Sequence, residues 1–249
     1  MDGLKGLRVK LFADGADVSA IAELAKRPYI RGFTTNPTLM RKAGVSDYRA
    51  FAREVLHLVP DRPISFEVFS DDFAEMERQA NEIASWGANV YVKIPVTNTQ
   101  GEFAGPLIRR LSAAGVQVNV TALTTVEQVA EVTACLSLQT KSCVSVFAGR
   151  VADTGCDPVP LMAEAVAVLR SCPKAELIWA SPRELLNLIQ ADMVGCHIIT
   201  MTGDLLAKLP LLGKDLLAFS LETVQMFRQD ALKAGFTIPL RAAQEQATA

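Results

Sequence analysis

The chain has 249 residues, half of them hydrophobic, with 25 basic and 27 acidic side chains and a formal net charge of −2. That length and apolar content support one large domain or two small ones around a sizeable core. Charge this balanced, with no basic block, argues against nucleic acid and anionic membrane as partners, and no charge-free apolar run reaches membrane-spanning length.

Short apolar runs alternate with amphipathic segments from end to end. Strands are predicted near 9–12, 32–35, 64–68, 90–94, 118–121, 143–146, 177–180 and 197–200. Helices are predicted at 18–25, 37–43 with 48–59, 72–86, 106–114, 126–136, 159–169, 182–191 and 203–208. Thr125 and Ser181-Pro182 read as helix starts, and Gly115 and Gly195 as helix stops ahead of strands. Eight strand–helix units at this length suit a single-domain (β/α)8 TIM barrel over 1–249, with a core at about 8–210. An open doubly wound sheet is the alternative, but no glycine-rich dinucleotide or Walker loop accompanies it.

An extra C-terminal helix is predicted within about 214–233. Leu217, Leu221, Val224 and Ala231 follow one stripe of it, while Leu216, Phe219 and Met226 lie off that stripe. Two apolar faces suit either a subunit contact or a helix wedged into its own core. The tail after Pro239 is expected to be loose.

The five cysteines (Cys135, Cys143, Cys156, Cys172 and Cys196) are scattered, with neither metal-ligand spacing nor a disulfide framework. The start, Met1-Asp2-Gly3-Leu4-Lys5, lacks the apolar core of a signal peptide, so a reducing cytoplasm is the expected location. His57 and His197 have no supporting motif and read as structural.

Lys93 interrupts the apolar run Val90-Tyr91-Val92-Lys93-Ile94-Pro95. A lysine on one face of a buried strand pays for its charge, which favours the neutral amine, and a neutral amine can attack a carbonyl to form a Schiff base. The bland reading is a lysine that snorkels from a strand end to water. The catalytic face of a TIM barrel is built at the C-terminal strand ends. Those ends carry Asp14, Thr34-Thr35-Asn36, Glu67, Lys93, Asn119 with Thr121, Ser145 to Arg150, and Ser181 with Arg183.

Each has a structural counterpart to its functional reading. Asp14 is either a proton carrier beside Lys93 or a turn aspartate, although Asp17 is better placed to cap the next helix. Glu67 is either catalytic or an ion-pair partner of Lys93. Asn36, before Pro37, suits a helix cap as well as a ligand contact. Asn119 and Thr121 share a strand face, where substrate hydroxyls or water can partner them. Arg183 in the first turn of a helix capped by Ser181, with Arg150 nearby, reads as an anion site or as surface arginine beside an ordinary cap.

Six motifs together resemble the transaldolase family. They are Phe12-Ala13-Asp14-Gly15-Ala16-Asp17, Thr34-Thr35-Asn36-Pro37, Tyr91-Val92-Lys93-Ile94-Pro95-Val96-Thr97, Asn119-Val120-Thr121, Ser145-Val146-Phe147-Ala148-Gly149-Arg150 and Ala180-Ser181-Pro182-Arg183. They occur in family order over roughly 8–210, and the length resembles the short branch, which includes fructose-6-phosphate aldolases.

The resemblance implies a transaldolase in which Lys93 forms the Schiff base and Asp14 takes the proton from the donor C4 hydroxyl. It makes Glu67 and Thr121 the pair that holds a catalytic water. It assigns Asn36, Asn119 and Ser145, within a substrate-binding group that includes Thr35 and Phe147, to the dihydroxyacetone portion. Arg150, Ser181 and Arg183 are assigned to phosphate. Sugar phosphates are the implied small-molecule substrates, no metal or organic cofactor is implied, and a homo-oligomer, up to a decamer, is expected.

Family aldolases typically carry glutamine, tyrosine and lysine where Glu67, Phe147 and Arg183 stand, so the resemblance favours transfer over release of dihydroxyacetone. An aldolase, a transaldolase of a specialised sugar pathway and a non-catalytic sugar-phosphate-binding barrel are the alternatives. The chain departs from the family pattern at Gly15, at Pro182 and in a longer segment, 98–105, expected beside the active site.

Overall fold

The computed structural model describes residues 2–239. Eight parallel strands close into a barrel in sequence order. The first half comprises β1 (Lys10–Asp14), α1 (Val18–Ala25), β2 (Ile30–Thr34), α2 (Pro37–Lys42), α3 (Tyr48–Leu58), β3 (Ile64–Glu67), α4 (Phe73–Ala84) and β4 (Val90–Pro95). The second comprises α5 (Gly105–Ala113), β5 (Val118–Leu123), α6 (Val126–Thr133), β6 (Ser142–Val146), α7 (Ala148–Asp153), α8 (Pro158–Leu169), β7 (Ala175–Trp179), α9 (Leu186–Met193), β8 (Ile198–Thr202) and α10 (Gly203–Leu206). The TIM-barrel expectation is met, and β1 pairs with β8 from Lys10↔Ile198 to Asp14↔Thr202 to close the ring.

Local chemistry sets most helix starts. Asp17, Asn36, Asp47 and Asp72 each accept the amide of the residue three positions on, as N-caps of α1, α2, α3 and α4. Thr125 and Gln128 form a reciprocal capping box at α6. Gly115 and Gly195 take positive φ after α5 and α9, as helix stops require.

Parallel strands are buried on both faces, so they read as near-continuous apolar runs. Deep inside the barrel, Phe12, Tyr91, Cys143, Ile178, Ala180 and Ile198 form a core cluster against which Phe147 packs. Gly32 makes room for it: a Cβ there would lie 2.4 Å from the Phe12 ring. His197 accepts the Leu177 amide through Nδ1 at 3.0 Å, a structural role as expected. All five cysteines carry free thiols.

The described chain divides into two compact units, one ending at Leu209 and the other beginning at Pro210. In the second unit α11 (Leu216–Lys233) is capped by Asp215, and Lys214 lies 4.9 Å from the Phe219 ring centroid. None of its residues is buried. The tail beyond Pro239 lies outside the described residues. Among the described residues, no helix is long and apolar enough to cross a membrane.

Candidate active site

The C-terminal ends of the strands surround a cavity of about 670 Å3. Ten of the twelve site residues expected from the sequence line it: Asp14, Asn36, Glu67, Lys93, Thr121, Ser145, Phe147, Arg150, Ser181 and Arg183. Strand register explains much of this. Glu67 pairs with Lys93, Lys93 with Asn119, and Pro95 with Thr121, so residues distant in sequence reach the same barrel level.

Lys93 is only 6 % exposed. Its Nζ donates to the Thr35 carbonyl at 2.9 Å and lies 3.0 Å from Glu67 Oε2. The lysine therefore does not snorkel to water, and the ion pair read as the structural alternative for Glu67 is present. The pairing leaves Glu67 Oε2 without an aligned hydrogen-bond donor, and Thr121 Oγ1 is likewise buried without a partner among the described residues. Both residues line one cavity, where these two oxygens offer hydrogen-bonding positions to a water or a substrate hydroxyl.

Asp14 accepts from Thr34 Oγ1 at 2.7 Å, and Thr34 Oγ1 lies 2.6 Å from Thr200 Oγ1. A hydroxyl has one proton, so while Thr34 donates to Asp14, Thr200 must donate to Thr34. Burial pushes the Asp14 carboxyl above its ordinary range, and the positive charge of Lys93 and the Thr34 hydrogen bond only partly oppose it. A carboxylate raised in this way is a stronger proton acceptor than a solvent-exposed one.

Thr35 and Asn119 are not among the lining residues. The Thr35 hydroxyl donates to the Ser65 carbonyl at 2.9 Å, leaving its own carbonyl for Lys93. Asn119 is fully buried, donating to Ser65 Oγ at 2.9 Å and accepting from Ser145 Oγ at 2.8 Å. Its hydrogen bond orients Ser145, which does line the cavity. Asn36 does both things foreseen for it, capping α2 and lining the cavity.

The expected helix start at Ser181 requires correction. Ser181 has φ of 59° and caps nothing, and α9 begins only at Leu186. The amides of Arg183 and Glu184 are instead taken by Asn187 Oδ1 at 2.7 and 3.1 Å, so Arg183 sits in a turn stabilised by that side chain. Its guanidinium is held by Asp153 of α7, with Nε to Oδ1 at 2.9 Å. The Arg150 guanidinium lies 5.5 Å from the centroid of the Phe147 ring. The two arginines thus sit on one side of the cavity rim, the chemistry of an anion site.

Gly149 allows these elements to meet. A Cβ on it would lie 1.6 Å from the Ser181 carbonyl oxygen.

Sequence reasoning missed α7, whose six residues are too short for a periodic signal. It also missed Ser65 and Thr200, although each lies two residues from another inward position on its strand. The longer segment is where it was expected. Thr97 and Phe103 form an antiparallel bridge, and Thr99 donates its amide and hydroxyl to Asp71 at 2.7 and 2.6 Å. Asp71 and Thr99 line a second cavity that shares Pro37, Glu67 and Pro95 with the first. Among the described residues, no group of three or more His, Cys, Asp or Glu side chains could hold a metal ion.

Sequence comparisons with known proteins agree on one family. A family model described as transaldolase/fructose-6-phosphate aldolase matches residues 11–246. A probable transaldolase of Thermoanaerobacter sp. (strain X514) is 33 % identical over 92 % of this chain and all of its own length. A probable transaldolase of Dehalococcoides mccartyi is 36 % identical, over 78 % of this chain and 86 % of the relative. Probable transaldolase 2 of Listeria monocytogenes is 34 % identical, over 85 % and 94 %. Among solved structures, an HpcH/Hpal aldolase/citrate lyase family protein from Burkholderia cenocepacia J2315 superposes with a TM-score of 0.56 over 91 % of this chain and 97 % of that one. At 14 % identity that likeness concerns the fold alone. The family match spans every strand end that contributes to the cavity, and the chain belongs to the transaldolase/fructose-6-phosphate aldolase family of enzymes.

Proposed function

We propose that this enzyme is a Schiff-base transaldolase that moves a dihydroxyacetone unit from a ketose phosphate to an aldose phosphate. The observation that carries the reading is the buried Lys93 amine, 3.0 Å from the Glu67 carboxylate, in a cavity that also presents Asp14 and Thr121. Sedoheptulose 7-phosphate and fructose 6-phosphate are the donors proposed, with erythrose 4-phosphate and glyceraldehyde 3-phosphate as acceptors.

In this reading Lys93, having given a proton to Glu67, attacks the donor C2 carbonyl to form a carbinolamine. Glu67 returns a proton to the departing hydroxyl through a water held with Thr121, and loss of water leaves a protonated imine. Asp14 takes the proton of the C4 hydroxyl, the C3–C4 bond breaks, and its electron pair flows into the imine to give an enamine. The first aldehyde leaves. The enamine carbon then attacks the acceptor aldehyde, Asp14 returns its proton to the new alkoxide, and water releases the product from Lys93. The protonated imine is the electron sink, so the reaction as proposed uses no metal or organic cofactor.

Arg150, Arg183 and Ser181 are proposed to hold the phosphate, and Asn36, Asn119 and Ser145, with Thr35 and Phe147, the three-carbon unit. Thr35 and Asn119 act here by orienting Lys93 and Ser145. The alternative of an aldolase releasing dihydroxyacetone is disfavoured by Phe147, which offers the enamine no acidic hydroxyl. A transaldolase serving a specialised sugar pathway would keep this mechanism with a different acceptor. A non-catalytic binding barrel is disfavoured by the presence of Lys93, Asp14 and Glu67 together. Free thiols suit the reducing cytoplasm. The apolar residues on more than one face of α11 support assembly as a homo-oligomer, up to a decamer, which light scattering on the full chain tests.

Borohydride reduction during incubation with fructose 6-phosphate tests the reading as a whole. A three-carbon addition on the peptide containing Lys93 is expected. Labelling of a different lysine, or of none, refutes it.

A further inference from the structure

The strand that carries Glu67 lacks its neighbour at the position that matters. The odd residues of β3 face β2: the Pro63 and Ser65 carbonyls accept from the amides of Phe33 and Thr35. The even residues face β4, with Ile64 donating to the Asn89 carbonyl and Val68 to the Lys93 carbonyl. Continuing the parallel ladder by two residues, the Glu67 amide would donate to the Thr35 carbonyl, and the Glu67 carbonyl would accept from residue 37. Neither bond is made. The Thr35 carbonyl accepts Lys93 Nζ instead, and residue 37 is a proline without an N–H.

Both orphaned groups are taken by one side chain. The Tyr48 hydroxyl accepts from the Glu67 amide at 2.7 Å and donates to the Glu67 carbonyl at 3.0 Å. The ring is fixed at the start of α3 by the Asp47 cap and by edge contacts with Phe66 at 6.0 Å and Trp86 at 5.4 Å.

We infer that Tyr48 is a positioning residue: its hydroxyl completes the ladder at Glu67, holding that carboxylate against Lys93 while leaving the Thr35 carbonyl free for the lysine. This rests on the roles proposed above for Lys93 and Glu67. Without the hydroxyl, the Glu67 amide is released to compete for the Thr35 carbonyl, and both members of the pair lose their placement. The step affected is imine formation, where Glu67 moves protons; the phosphate-binding arginines on the opposite side of the cavity are untouched.

The experiment is quench-flow borohydride trapping with fructose 6-phosphate, comparing wild type with Tyr48→Phe, Glu67→Gln and the double variant, each checked for a wild-type circular dichroism spectrum. Tyr48→Phe keeps the ring contacts and removes only the hydroxyl. Imine formation at Lys93 is expected to slow roughly tenfold, in line with the sensitivity of positioned groups to displacements of an ångström or less. KM for the phosphorylated donor stays within about twofold in the same variant, because the arginines are not involved. In the Glu67→Gln background the tyrosine change has little further effect on the rate, since the two act as one unit. Placing 4-aminophenylalanine at position 48 restores a para group that both donates and accepts, and with it most of the rate.

Equal trapping rates in wild type and Tyr48→Phe, or the same proportional loss in both backgrounds, overturn the inference and leave the Schiff-base reading intact. Should Tyr48→Phe fail to fold, wild-type folding without restored trapping in the 4-aminophenylalanine protein overturns it as well. Absence of any label on wild-type Lys93 overturns the functional reading and this inference with it.

Discussion

Gly149→Ala tests whether the side of the cavity proposed to bind phosphate is a single packed unit. The added methyl would lie 1.6 Å from the Ser181 carbonyl oxygen and 2.7 Å from its carbonyl carbon, both backbone atoms. An ordinary carbon–oxygen contact needs about 3.3 Å, so one of the two chains must retreat by roughly 1.7 Å. Neither can do so freely. Ser181 is already in the left-handed region, at φ of 59°, and Arg183 is tied on one side to Asn187 and on the other to Asp153.

Overpacking of flexible side chains costs about 1–3 kcal/mol, and a rigid backbone neighbour places this case at or above the upper end. For a chain of this size that is a fall in Tm of about 6–12 °C. The displaced turn carries Ser181 and Arg183, so kcat/KM for phosphorylated ketoses should drop on the order of a hundredfold, as for other ångström-scale misplacements of binding groups. Unphosphorylated analogues, which do not use the arginines, should lose only a few-fold. Differential scanning calorimetry and paired steady-state kinetics on fructose 6-phosphate and fructose provide both readouts. A variant with wild-type Tm, or one that loses both substrates equally, would refute the reasoning that this glycine holds together a side of the cavity that binds phosphate.

Three further outcomes are expected. Asp14 has a folded-state pKa raised above its ordinary 3.8, so its contribution to stability is fully present below 3.8 and is lost as pH rises through the folded value. Asp14→Asn should therefore show a higher Tm than wild type at neutral pH and lose that advantage below pH 3.8, while carbon–carbon cleavage slows by about 10²-fold or more. An advantage that persists unchanged in acid contradicts the burial argument. Arg183→Ala should raise KM for phosphorylated substrates about tenfold, the worth of a hydrogen bond to a charged group, and far less for free sugars; an equal rise on both contradicts the phosphate role. Phe147→Tyr places a hydroxyl in the cavity and should shift the enamine from transfer toward release of dihydroxyacetone, followed by measuring both products with and without erythrose 4-phosphate; an unchanged ratio removes that role from position 147.

The alternation of strand and helix was legible in the chain because parallel strands buried on both faces read as short apolar runs, and because helix caps are local. Asp17, Asn36 and Thr125 each bond within three residues, so sequence alone locates them. The polar residues at strand ends were legible for a related reason. Each interrupts an apolar run, and barrel closure brings those interruptions to one level.

What local pattern does not contain is the identity of partners across the barrel. The Glu67–Lys93 pair, the Asp153–Arg183 clamp and the Tyr48–Glu67 bond join residues 19 to 30 positions apart, and strand register and helix packing select them. The same holds for Ser181. Read locally, Ser-Pro is a helix start, but the β7–α9 turn must pass over Gly149, and that close approach coincides with a left-handed serine while Asn187 takes the amides that a helix cap would have served. The sequence alone determined which side chains were available and at which strand end each would lie. Only the tertiary structure decided which of them turn into the cavity and which, like Thr35 and Asn119, are spent holding the others in place, because a hydrogen bond is directional and its partner exists only once the ring of strands has closed.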